Sequence, residues 1–254
     1  MGDTVSSVVV SGNTSGAITI QAPAVAGSGT LTLPSGNGVM LSSVLNAGNT
    51  TFSPITFASG NLLNTASAGS IEYDGKALYG TPSGALRGVI PGCQFYRINS
   101  NLAYPVGSGT NSIFGVGVTL SSSTVYIMEA QLTFQRSASA THFCSMGFGG
   151  TATLNNILWQ GRNVWQPGTI PLVDSTPEYS ICTTAAMTQI VTSANTQTLA
   201  VFLKGTVSVN AGGTFIPQFA QSAATAFYTL QAGSFFGLYP IGASGGNISV
   251  GSWA

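Results

Sequence analysis

The chain has 254 residues, of which 6 are Lys or Arg and 6 are Asp or Glu, so only 5% are charged and the formal net charge is zero. A globular chain ordinarily carries about 25% charged residues, so this surface is filled by Gly, Ser, Thr, Asn and Gln instead. The balance excludes the basic footprint of a nucleic-acid binder or polybasic membrane binder, and 44% hydrophobic content excludes disorder.

Residues 1–10 have neither a basic stretch nor an apolar run, so they predict no signal peptide. No stretch reaches the roughly 18 apolar residues of a spanning helix, and no membrane insertion is expected. Over residues 1–60, short β-leaning runs at 8–10, 18–20, 31–33 and 39–41 alternate with Ser, Gly, Pro and Asn turns. Each run is too short to make a core alone, so 1–60 reads as an attachment or shaft segment. Residues 61–92 hold Glu72, Asp74, Lys76 and Arg87 among closely spaced glycines, and predict a strand-turn-strand connector.

From residue 93 to 254 the pattern is that of a β-sandwich. Tyr126, Met128, Ala130, Leu132 and Phe134 alternate along 124–135 and predict one buried strand face. Further strands are expected at 94–99, 112–120, 142–148, 157–160, 198–209, 214–221 and 234–241, with turn residues between them. The fold class is therefore all-β: an extended N-terminal β segment followed by an antiparallel jelly-roll sandwich. Where both faces of a strand are apolar, a subunit contact is implied. At 235–239 alternation sends Phe236 and Leu238 inward, and Phe235 and Tyr239 towards a partner copy.

Two segments carry a resemblance. ASAGSIEYDGKALYGTP (66–82) resembles a segment of many bacteriophage tail-fibre and virion structural proteins. TIQAPAVAGSGTLTLP (19–34) resembles the stretch that often precedes it. The runs KGTVSV (204–209), GGTF (212–215) and GSFFGL (233–238) are similar in pattern to trimeric tumour-necrosis-factor-like jelly rolls. These resemblances imply a homotrimer in a virion, made in the host cytoplasm, which meets other virion proteins through residues 1–60. A tail fibre or receptor-binding protein that contacts a host surface glycan or protein is the leading expectation. A capsid decoration (cement) protein with the same trimeric fold is the alternative, and a polysaccharide-cleaving tail spike is a third class.

Chemistry-bearing residues are sparse. His142 is the only histidine, and no G-x-S-x-G elbow accompanies it. His142, Cys144 and Cys182 lack the paired spacing of a zinc site, so no metal or cofactor is expected and the three cysteines, Cys93 included, read as buried thiols. Glu72 with Asp74, and Asp174 with Glu178, are the acid pairs a glycosidase would need, but salt-bridging or solvated roles are the expectation and no catalytic residue is assigned. Trp159, Trp165 and Tyr179 fall in the irregular, proline-bearing stretch 159–184. They are candidate aromatic platforms for a receptor or glycan, with core or interface packing of one or both tryptophans as the competing role.

Overall fold

The computed structural model describes residues 7–11, 17–21, 53, 55–104, 109–136, 142–167, 178–193, 197–222, 228–251 and 253. The chain divides into two units, Met1–Thr56 and Phe57–Ala254. In the first, β1 (Ser7–Ser11) and β2 (Ala17–Gln21) form an antiparallel hairpin with Val8 opposite Ile20 and Val10 opposite Ile18. The runs expected at 31–33 and 39–41 lie outside the described residues.

The second unit begins with a small antiparallel meander of β3 (Ile71–Tyr73), β4 (Leu78–Gly80) and β5 (Gly88–Ile90). Its hairpin is set by Asp74-Gly75, where Gly75 takes φ 85°, a conformation that a side chain would strain. The Asp74 carboxylate accepts from the backbone N–H of Lys76 and Ala77 at 2.7 and 2.8 Å, closing the turn, and from Tyr79 Oη at 2.9 Å. Glu72 pairs with Arg87 at 2.9 Å across the meander. Lys76 Nζ donates to the Ser122 carbonyl at 2.8 Å, tying the meander to the sandwich.

The remaining strands make the sandwich. In chain order they are β6 (Gln94–Arg97), β7 (Leu102–Ala103), β8 (Asn111–Ser112), β9 (Val118–Leu120), β10 (Thr124–Arg136) and β11 (His142–Gly149). These are followed by β12 (Thr153–Pro167), β13 (Glu178–Cys182), β14 (Thr188–Ser193) and β15 (Gln197–Ala211). Last come β16 (Gly213–Gln221), β17 (Tyr228–Leu230) and β18 (Phe235–Ala243). One sheet runs β13-β12-β15-β10, then continues through β18 to β6 and through β17 to β7. The other runs β14-β11-β16, with β8 and β9 both paired to β16. All the pairings are antiparallel and no described residue is helical, so the fold is an all-β, jelly-roll-like sandwich.

Alternation makes the core. Tyr126, Met128, Ala130, Leu132 and Phe134 of β10 are all buried, while Glu129 and Gln131 are exposed. Across the sandwich Phe134 stacks on Phe219 with ring centres 4.8 Å apart, and within the second sheet Phe148 of β11 stacks on Phe215 of β16 at 4.6 Å. Each such buried ring contributes about 1.5–3 kcal/mol by leaving water, and each aromatic pair about 0.5–1.5 kcal/mol more.

Three expectations need correction. The segment 112–120 is not one strand: β8 and β9 are separated by a turn in which Gly115 takes φ 72°. The strand expected at 157–160 is far longer, because β12 runs from Thr153 to Pro167 and pairs with β15 along most of its length. Cys93 is exposed rather than buried, since it precedes the edge strand β6, whose four residues are all exposed; Cys144 and Cys182 are buried.

Candidate interaction surface

The outer face of the larger sheet is built from the residues that alternate with the core. Reading across β12, β15, β10 and β18, one row is Leu158, Thr206, Ile127 and Tyr239. The next begins on β13 and runs Ile181, Gln160, Lys204, Glu129, Gly237, ending on β6 at Phe95. The third is Arg162, Phe202, Gln131, Phe235 and Arg97.

This face exposes large apolar groups: Ile181 is 74% exposed, Phe95 56%, Leu158 51% and Phe202 41%. Phe235 and Tyr239 lie on it half-buried, and Phe235 stacks on Phe95 with ring centres 5.0 Å apart. Phe236 and Leu238 are buried on the opposite face, as alternation requires. Two shallow hollows, about 420 and 340 Å³, flank the ridge formed by Gln160, Lys204 and Glu129. Glu129 and Lys204 are in register but do not close an ion pair; among the described residues the pair that closes is Glu72–Arg87.

Trp159 belongs elsewhere. It is completely buried, donates its indole N–H to the Thr184 carbonyl at 3.0 Å and packs edge-on against Phe148 at 5.6 Å. The expectation that it meets a glycan on a loop is therefore overturned: β12 and β13 are paired strands, and Trp159 faces the core between them and the second sheet. Trp165 sits in register with Leu199 and Tyr179 with Arg162, and the side chains of both lie outside the described part of the structure.

The acids that a glycosidase would need are occupied structurally in the first pair. Glu72 Oε1 also accepts the Leu63 N–H at 2.7 Å, and Asp74 closes the hairpin turn. Asp174 and the Glu178 side chain lie outside the described residues. Among the described residues no three His, Cys, Asp or Glu side chains converge on a metal position. Burial pushes the Cys144 thiol up to about 11, although the Tyr228 hydroxyl 3.0 Å away acts in the opposite direction. A thiol so placed is a poor nucleophile at neutral pH.

A surface residue that sequence reading did not single out is Trp253. It is 81% exposed, with its indole N–H donated to the Val250 carbonyl at 2.8 Å. Its signal in the sequence was only a lone aromatic in a small-residue tail. No family model matches the chain, and no curated protein or solved structure matches it.

Proposed function

We propose that the chain is a bacteriophage virion structural protein that acts as a homotrimer of the tail-fibre or receptor-binding kind, by assembly and recognition rather than by catalysis. The observation that carries this reading is the uncovered outer face of the larger sheet. Apolar groups contributed by six strands line that face, with Glu129, Lys204, Arg162 and Arg97 among them. A contiguous apolar patch on a sheet with one face already packed is the mark of an assembly surface. A second copy that covers it would set its aromatic and aliphatic groups against one another, with Glu129 and Lys204 in register at its centre.

The connector supports the same reading. The residues of 66–82 that resemble phage fibre segments are the ones that build the meander: Glu72 bridges to Arg87, Asp74 shapes the turn, and Tyr79 is buried against it. Their chemistry is spent on holding a junction in shape.

The test has two steps. Light scattering on the purified chain should give about 77 kDa, three times its 25.8 kDa, for a closed cyclic trimer. A monomer at micromolar concentration overturns the trimer. Labelled antibody on intact particles should then mark the tail tip or baseplate. Label over the capsid shell replaces the receptor-binding role with the decoration role.

A further inference from the structure

A polar hollow lies apart from the open sheet face, where the meander, the end of β18 and the segment after β18 meet. Its volume is about 440 Å³, within the roughly 300–1,000 Å³ range of small-ligand clefts. Buried Tyr79 and the glycine at 242 belong to its lining, and the two are in close contact: a Cβ on Gly242 would lie 3.3 Å from Tyr79 Oη. Asn64, Thr65, Asn247 and Ser249 line it and are exposed, and none of these four side chains has a hydrogen-bond partner within the described protein. Arg87 lines it as well, with its charge already balanced by Glu72.

Trp253 does not line the hollow but follows the last lining residue, Gly251, by two positions. A Cβ on Gly251, which lines the hollow, would lie 3.8 Å from the Trp253 indole nitrogen. The bond to the Val250 carbonyl fixes the ring while leaving it 81% exposed. We infer that this hollow, with Trp253 beside it, is a binding site for a neutral saccharide. An exposed, oriented indole offers an apolar plate for the C–H face of a pyranose, and uncommitted amide and hydroxyl groups beside it match a ring of hydroxyls. The paired arginine leaves no net charge to select an anionic ligand or a phosphate backbone. This deepens the receptor-binding reading and rests on it for its biological meaning. Binding by the purified chain nevertheless succeeds or fails independently of oligomeric mass and of position on the particle.

The experiment titrates the full-length protein with neutral oligosaccharides built from glucose, galactose, mannose and N-acetylhexosamines. Tryptophan fluorescence and saturation-transfer NMR provide the readouts. Saturable binding of at least one of them is expected, with a tenfold or greater loss of affinity in Trp253→Ala and a smaller loss in Asn247→Ala. Both side chains are exposed, so the fold should be retained, which circular dichroism checks. Trp159→Phe should leave the affinity unchanged. Failure of all the probes overturns the site, as does binding that Trp253→Ala leaves intact. If no sugar binds and Trp253→Ala instead lowers the oligomeric mass, the hollow is a subunit contact and the saccharide site is overturned.

Discussion

Glu129 stands directly opposite Lys204 in the β10–β15 register, at the centre of the open sheet face. Opposite charges at this position are compatible with closure against another subunit, whereas two carboxylates are not. Lys204→Glu should weaken self-association by about tenfold or more, roughly 1.4 kcal/mol, with unchanged circular dichroism. Restoring the pair in reverse, Glu129→Lys with Lys204→Glu, should recover the mass seen by light scattering. An oligomer indifferent to both variants would show that this face is not the contact.

Trp159 is the largest of the fully buried side chains among the described residues, and its removal should be costly. Trp159→Ala forfeits the edge contact with Phe148 and the bond to Thr184, and should cost about 3–5 kcal/mol in urea unfolding. Gly205, opposite it in register, tests the same packing from the other side. A Cβ there would lie 2.5 Å from the Leu158 carbonyl oxygen and 2.7 Å from Trp159 Cβ, so Gly205→Ala should cost about 1–3 kcal/mol through overpacking.

Asp74 holds two backbone N–H groups and the Tyr79 hydroxyl. Asp74→Ala leaves those donors without their acceptor and should destabilise the meander by about 1–3 kcal/mol. Hydrogen exchange should speed up over 71–80 while β10 and β15 remain protected. Uniform acceleration through the sandwich would contradict a local role.

Alkaline pH should destabilise the protein. Burial raises the Cys144 thiol from 9.0 to about 11, so between these values the folded chain keeps a proton that the unfolded chain releases. Stability from this group is complete below about pH 9 and lost as pH rises towards 11, up to about 3 kcal/mol. Tyr79 and Tyr104 are also raised, chiefly by burial, and extend the loss above about pH 10. In Cys144→Ala the fall in melting temperature between pH 9 and 11 should be shallower than in the parent. An identical slope would exclude Cys144 as its source.

Thiol accessibility should separate the cysteines. A disulfide reagent should modify Cys93 in the native chain and reach Cys144 and Cys182 only after denaturation. Rapid labelling of Cys144 in the native state would contradict its burial.

Runs in which apolar residues alternate with polar or small ones can be read from sequence. The alternation of β10 placed Tyr126, Met128 and Phe134 inside, and that of β18 separated Phe236 from Phe235. β12 was cut short because its buried positions after Trp159 are Gly161 and Asn163, while Leu158 and Arg162 alternate with them on the exposed side. Asn163 is inside because its amide donates to the Ile190 carbonyl at 2.7 Å, a partner supplied by a distant strand and invisible in local pattern. The same blindness made Trp159 look like a loop platform. The polar hollow could not be read at all, since its lining comes from segments on either side of the sandwich sequence.

The pairing of β6 with β18 sets the order in which the molecule can be completed. Phe95 finds its partner at Gly237, so β6, the first strand of the sandwich, waits unpaired until the distant β18 has been synthesised. Such late closure slows folding and leaves nascent chains dependent on protection from one another. It also acts as proofreading: a polypeptide released before β18 cannot finish the sheet on which Phe235 and Tyr239 lie.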